Sequence, residues 1–278
     1  MNCIPIMISG LPGNVARVMA EAVLQDERFT LVPFSLTGEE ITDGQVSVDQ
    51  TNVTLLKPSE REEKINEILE SYPGCICVDY THPTAVNDNA KFYVAHKIPF
   101  VMGTTGGDRQ DLERTVKNGP MPAVIAPNMA KQIVGLQAML EYGANTFPGL
   151  FKGFTLQVKE SHQQGKADTS GTAKALVACF NQLGIDFNIS SIEKIRDPKI
   201  QKQDLGVEAQ YIKGHAWHTY TIKAPDGSAL FELTHNINGR QNYVSGTFDA
   251  VLFLKTQIDT NTFDQKLFTM IDVLTAGK

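Results

Sequence analysis

Within eleven residues the chain places His162, Lys166 and the turn Ser170-Gly171-Thr172, and apolar spacing beyond Thr172 predicts that this turn opens a helix. A helix start presents unpaired backbone N–H groups and the positive end of the helix dipole, which suit a carboxylate or a phosphate equally. Taken alone, the turn reads as a plain capped helix, because Ser and Thr are common caps. Histidine and lysine are both proton donors, and Gly165 between them predicts a loop rather than continuous helix. Either residue by itself reads as a solvated surface group. Their position after the strand-like FTLQVKE and before an anion-ready helix shifts the reading to a ligand site that holds an anion and moves a proton.

A second chemical signal lies at the amino end. Gly10-Leu-Pro-Gly13-Asn14-Val15-Ala16 falls between the first apolar strand and the first helix, where a tight turn lets N–H groups face a pyrophosphate. An ordinary turn is the bland alternative, and the alternating α/β context favours dinucleotide binding. Gly103-Thr104-Thr105-Gly106 follows the strand IPFVM at the carboxyl end of the sheet, a place for the nicotinamide half. The second strand ends Ser35-Leu-Thr37-Gly38 with no acid to hold a ribose hydroxyl. Its hydroxyls accept a 2′-phosphate without repulsion, and Arg17 lies one turn into the helix. These features predict NADPH, with NADH as the alternative because Glu39 and Glu40 follow directly.

The elements that position these residues alternate. CIPIMIS, FTLVPFSL, GCICVDYT, IPFVMGTTG and PAVIAPN read as strands, joined by helices that include KPSEREEKINEILESY, PTAVNDNAKFYVAHK and DRQDLERTVKN. Pro83 suits a first helical turn, and Gly119-Pro120 a helix end. This is a Rossmann-like doubly wound parallel sheet over residues 1–128. After Asn128 a long helix to Phe147 and the strand FTLQVKE predict a second, α+β domain over 129–250, which carries the anion site and so binds substrate. A helix over 172–183 stopped by Gly184, and a hairpin around Pro225-Asp226-Gly227, belong to it. VSGTFDAVLFLKTQI and FDQKLFTMIDVL read as two closing helices, with 251–278 packing back on the first domain.

Composition excludes other classes. A net charge of −6 does not supply the basic surface that nucleic acid requires. Cys3, Cys75, Cys77 and Cys179 lack zinc-ligand spacing and read as free structural thiols, so no metal is expected. No apolar run approaches the about 20 residues of a membrane span, and the first residues lead into a strand rather than a cleavable signal. A soluble protein of a reducing compartment follows.

Several motifs together resemble the 4-hydroxy-tetrahydrodipicolinate reductases, long called dihydrodipicolinate reductases, of lysine and diaminopimelate synthesis. They are GLPGNVA, VDYTHPTAV at 78–86, GTTG, APNMAKQ at 126–132, ESHQQGKADTSGTA at 160–173 and GRQNYVSGT at 239–247. VMGTTGGDRQ, the ESHQ opening, IRDPK at 195–199, GHAWH at 214–218 and the ending MIDVL resemble the plant-type branch. The resemblance implies that His162 and Lys166 are catalytic and that Ser170, Gly171 and Thr172 hold a carboxylate of a cyclic dicarboxylate. It also implies that Thr81, Pro127 and Asn128 join the cofactor site. Arg240 is the candidate for the other carboxylate. Gln163, Gln164 and Gly165 stand where bacterial members carry further bases, Asn14 where a basic residue often occurs, and Ala16 replaces the third glycine.

The expected reaction is loss of water from the hydroxylated ring, hydride addition to the ring carbon left electron-poor, and proton delivery to its neighbour. Lys166 is the first choice of donor, while His162 orients, binds or shares the proton. The expected site is the cleft between the domains. The resemblance further implies a dimer or tetramer built through the sheet of the second domain, 129–250, in a plastid stroma after transit-peptide removal or in a bacterial cytoplasm. The rivals are another two-domain NAD(P)-dependent enzyme, such as an amino-acid dehydrogenase, and a nucleotide sensor without turnover.

Overall fold

The computed structural model describes residues 3–261 and 265–276. The chain forms two compact units, one of residues up to Lys131 together with those from Tyr243 onward, the other of Gln132–Asn242.

The first unit alternates as its apolar runs predict. Its elements are β1 (Ile4–Ser9), α1 (Asn14–Leu24), β2 (Phe29–Leu31), β3 (Phe34–Leu36), β4 (Gln45–Val48), β5 (Thr51–Leu56), α2 (Arg61–Ser71) and β6 (Ile76–Asp79). They continue through α3 (Val86–Ala95), β7 (Phe100–Met102), α4 (Arg109–Asn118) and β8 (Ala123–Ile125). Every residue of β6, β7 and β8 is buried, which explains why these strands read as unbroken apolar runs rather than as alternation. In α1 the buried Ala16, Met19, Ala20 and Val23 recur at helical spacing and face the sheet side of the core. Pro83 opens a 3₁₀ turn leading into α3, and Gly119 follows the last residue of α4.

The second unit holds α5 (Lys131–Thr146, whose first residue belongs to the first unit), β9 (Thr155–His162), α6 (Gly171–Gln182), β10 (Glu193–Ile195), α7 (Pro198–Gln203), β11 (His215–Lys223) and β12 (Leu230–Asn238). Its sheet runs β10-β9-β11-β12, with β9 and β10 parallel and the other pairs antiparallel. Ala173, Leu176, Val177 and Phe180 of α6 pack on Val158, Tyr220 and Ile222 of the sheet. Burying a side chain such as Leu176 stabilises by about 1.5–3 kcal/mol, so this one helix fixes much of the unit's core. The hairpin turn falls at Pro225-Asp226-Gly227, where Asp226 Oδ1 accepts the Ser228 N–H at 3.0 Å.

The chain then returns to the first unit through α8 (Asn242–Thr260), β13 (Leu267–Phe268) and α9 (Met270–Thr275). The parallel sheet is ordered β13-β8-β7-β6-β1-β2. The boundary expected at 250 falls inside α8, and the units divide instead at Tyr243.

Two expectations are corrected. FTLVPFSL is not one strand: β2 pairs with β1, the chain leaves the sheet at Pro33, which has no N–H for the ladder, and β3 joins β5 and β4 in a separate three-stranded sheet. The segment FDQKLFTMIDVL is not one helix. Within its described residues Leu267 and Phe268 pair with Ala123 and Val124 of β8, and α9 starts only where Thr269 and Asp272 form a capping box. Among the described residues no helix is long and apolar enough to cross a membrane.

Candidate active site

The order of the parallel sheet turns at β1, with β2 on one side and β6, β7, β8 on the other. In open α/β sheets this switch point, at the carboxyl ends of the strands, is where ligands lie. Gly10 follows β1 there with φ +110°, and a Cβ on it would lie 2.5 Å from the Tyr80 carbonyl oxygen. Only glycine fits such an approach. Gly13 caps α1 with no side chain, and no acid sits in the first turn, so the N–H groups from Asn14 and Val15 stand at an uncapped, positive helix end. Gly103 follows β7, and its missing Cβ makes room for the Tyr80 ring, which would be 2.4 Å away.

Beneath these loops, side chains hold backbone. Asp79, fully buried at the end of β6, accepts the Thr81 N–H (2.9 Å) and hydroxyl (2.7 Å) on one oxygen, and the Asn89 amide (3.0 Å) and Tyr93 hydroxyl (2.8 Å) on the other. Burial, reinforced by the Asp79 charge, pushes the Tyr93 hydroxyl well above its ordinary range, so it stays a donor. Thr104 donates to the Thr81 carbonyl at 3.1 Å. Thr105 and Pro127 are exposed, and the half-buried Asn128 accepts the Ala130 N–H at 2.9 Å. The predicted residues Gly10, Gly13, Thr81, Gly103 and Pro127 thus gather at one end of the sheet.

Ser35 and Thr37 do something other than expected. Ser35 is fully buried and its Oγ accepts the Leu11 N–H at 3.2 Å, while Thr37 Oγ1 donates to the Leu11 carbonyl at 2.9 Å. Both hydroxyls clamp the glycine loop and are spent there rather than offered to a ribose phosphate. Arg17 donates to the Ser47 carbonyl at 2.9 Å, Glu39 accepts the Ser59 N–H at 3.1 Å, and the Glu40 carboxylate folds over Gly38.

In the second unit β9 puts Glu160 and His162 on the face covered by α6, because alternate residues share a face and Val158 lies in that core. His162 is therefore the last residue of a strand and buried, not part of the loop. Glu160 is fully buried; Oε2 accepts the Ser170 N–H at 3.0 Å and Oε1 the Arg196 guanidinium. Arg196 also donates to the Lys166 carbonyl at 2.8 Å and the Glu160 carbonyl at 3.2 Å, which ties the loop 163–169 to the strand. Gln201 of α7 donates to the His162 carbonyl at 2.7 Å.

This frame leaves the chemical groups open. Ser170 stands at the cap position of α6, yet its side chain makes no capping bond, so the plain-cap reading does not describe it. Gly171 is exposed and Thr172 half-buried at the uncapped start. Lys166 pairs with Asp168 at 2.8 Å, an exposed partner of the kind that holds a lysine weakly. Burial lowers His162 to about 4, with the Glu160 charge opposing and Arg196, Lys166 and His215 reinforcing, so its imidazole is neutral at pH 7 and Nδ1 has no protein partner. Arg240 follows β12 beside Gly214 and has no hydrogen-bond or ion-pair partner among the described residues. His162 is in register with Ala216, which is in register with Ile237, so Arg240 lies at the same end of the sheet as His162.

Sequence reasoning assigned no role to Glu160, Arg196, His218 or Asp79. Arg196 and His218 sat inside the quoted segments IRDPK and GHAWH, and Glu160 opened ESHQ, which was the available signal.

A doubly wound sheet with a glycine turn at its switch point, joined to an α+β unit in which α6 starts uncapped, is the build of two-unit nucleotide-dependent oxidoreductases. Residues 4–129 match the family model described as dihydrodipicolinate reductase, N-terminus, and residues 133–274 its C-terminus counterpart. The chain belongs to the dihydrodipicolinate reductase family. It is 45% identical over 277 residues to 4-hydroxy-tetrahydrodipicolinate reductase 1, chloroplastic, of Arabidopsis thaliana, covering 99% of this chain and 79% of the relative. It is 44% identical over 273 residues to the probable reductase 1, chloroplastic, of Oryza sativa subsp. japonica, covering 98% and 79%. A solved dipicolinate-bound dihydrodipicolinate reductase from a Paenisporosarcina species shares the fold, with a TM-score of 0.64 at 18% identity over 96% of this chain and 98% of that one.

Proposed function

We propose that the chain reduces 4-hydroxy-tetrahydrodipicolinate to tetrahydrodipicolinate, the diaminopimelate and lysine route reaction, with a reduced nicotinamide nucleotide. The family is NAD(P)H-dependent. The observation that carries the assignment to these residues is the uncapped start of α6, with the weakly paired Lys166 ahead of it and the neutral His162 at the end of β9.

The residues of the first unit fit a dinucleotide: the glycine that only a close backbone approach explains, the clamped loop and the acid-free helix start favour a pyrophosphate. Gly10 through Val15 would hold it, with Thr81, Gly103 to Thr105, Pro127 and Asn128 along the nicotinamide half. The bound nucleotide supplies the hydride. With Ser35 and Thr37 occupied, preference for NADPH over NADH rests on Arg17, against Glu40, and its margin is small.

In the second unit Ser170, Gly171 and Thr172 hold one ring carboxylate through N–H groups, hydroxyl and dipole, and Arg240 takes the other. Lys166 leaves Asp168 for the substrate and delivers the proton to the ring carbon next to the one that receives hydride. His162, neutral, cannot supply an imidazolium proton at pH 7, so its role is to orient the substrate. The chain works as a dimer or tetramer built through the second unit's sheet, in a plastid stroma or a cytoplasm.

The direct test couples fresh condensation product of pyruvate and aspartate semialdehyde to consumption of NADPH or NADH. Turnover is expected with both and faster with NADPH at equal concentration. Nucleotide binding without consumption would overturn the assignment, and clear preference for NADH would place Glu39 or Glu40 on the ribose.

A further inference from the structure

Three histidines on the α6 face of the second sheet, His162, His218 and His235, lie together with ring nitrogens that have no hydrogen-bond partner. His218 of β11 is in register with Glu160 of β9, and its Nε2 lies 3.9 Å from Glu160 Oε2. The His162 ring meets the His218 ring edge-on at 5.1 Å between centroids, and His235 of β12 stacks on His218 at 4.6 Å. His218 is 3% exposed and His162 6%. Neither ring nitrogen of His218 has a hydrogen-bond partner, nor has Nδ1 of His162. Buried polar groups are normally paired, and an unpaired one costs about 1–3 kcal/mol, so a cluster of them calls for a ligand.

That ligand is cationic and takes lone pairs. One ligand atom from each of Glu160, His162 and His218 lies within 4.8 Å of the other two. Glu160 Oε2 accepts a single N–H, from Ser170, and keeps a lone pair. Two neutral imidazoles and one carboxylate make the ligand set that zinc takes with a fourth position left open.

We propose that Glu160, His162 and His218 form a binding site for a divalent transition-metal ion of the zinc type, and that its occupation blocks the reductase reaction.

Both rings are buried, and a metal ion binds imidazole in its neutral form, the form that burial favours. Two features keep the affinity below that of a structural zinc site. Arg196 already neutralises the other oxygen of Glu160. A tetrahedral ion with bonds of about 2.0–2.1 Å holds neighbouring ligand atoms about 3.4 Å apart, so His218 and Glu160 must close by about half an ångström. Inhibition follows because the ion takes a lone pair of His162 and fixes that ring in the site, so that it no longer orients the substrate. This clause alone rests on the role proposed for His162; binding does not.

The full chain, stripped with chelator, is titrated with cobalt(II) while the visible ligand-field absorption of tetrahedral cobalt is followed, then with zinc to displace it. One saturating equivalent is expected, with micromolar zinc inhibiting reductase turnover reversibly to chelator. His218→Phe and, should that variant misfold, His218→Gln are expected to lose ten-fold or more in cobalt affinity while still binding nicotinamide nucleotide. His235→Phe is expected to keep the cobalt signal. No saturable signal up to millimolar cobalt, or a signal unchanged by either His218 variant, overturns the site. Binding that depends on His218 but leaves turnover untouched would uphold the site and count against the role of His162 in the reaction.

Discussion

The glycine loop of the first unit and the anion turn of the second both end in an uncapped helix start, but they are built in opposite ways. At the glycine loop the buried polar side chains are occupied: Ser35 and Thr37 clamp Leu11, Asp79 gathers Thr81, Asn89 and Tyr93, and Thr104 holds Thr81. What remains for a ligand is backbone N–H together with the exposed Asn14. At the anion turn the occupied groups are Glu160 and Arg196, while His162, Lys166 and Thr172 are left with open atoms or a weak surface partner. The contrast matches two tasks. In the proposed roles a dinucleotide is gripped along its length by fixed N–H groups, whereas a proton donor and a carboxylate holder act through their own side chains.

The largest expected effect tests whether Glu160 and Arg196 are the frame of the second region. Glu160→Gln keeps the shape and leaves a largely buried guanidinium without its anion. Breaking such a pair costs on the order of 3 kcal/mol, so the urea midpoint should fall clearly. A shift below about 0.5 kcal/mol would mean that the loop 163–169 is held by something else.

Next in size is Lys166→Ala, which should lower turnover by about 100-fold or more, the scale of general acid catalysis, with nucleotide affinity barely changed. Full activity in the folded variant would remove Lys166 from the chemistry. An equal loss of nucleotide binding would move it to the other region.

The smallest of these effects sharpens the first region. Ser35→Ala leaves the buried Leu11 N–H unpaired and should weaken nucleotide binding by about 1 kcal/mol, for NADPH and NADH alike, because the hydroxyl shapes the loop. A loss confined to NADPH would return Ser35 to the 2′-phosphate.

The contrast also explains what was legible before the structure. Strand and helix order in the first unit followed from apolar runs, and the glycine turn from its place between β1 and α1, because both signals are local. The break at Pro33 hides in an apolar segment that reads as one strand, and β13 is two residues long. Ser35 and Thr37 read from the sequence as hydroxyls for a 2′-phosphate, whereas the direction they take depends on Leu11, more than twenty residues away. Glu160, Arg196, His218 and His235 come from four segments, joined by strand register that no periodicity encodes. The cysteine spacing gave no hint of a metal, because the ligands proposed for one are a carboxylate and imidazoles on β9 and β11.

The central claim is that the start of α6 holds a substrate carboxylate, and calorimetry with pyridine-2,6-dicarboxylate, a planar mimic of the substrate ring, tests it most directly. In chelator-treated, metal-free buffer with nicotinamide nucleotide present, the parent and Thr172→Val are titrated side by side. The variant keeps the shape and loses one hydroxyl donor to a charged group, so the mimic should bind it more weakly by about 1–3 kcal/mol while nucleotide affinity stays the same. Equal binding of the mimic to both proteins would contradict the account and place the carboxylate elsewhere.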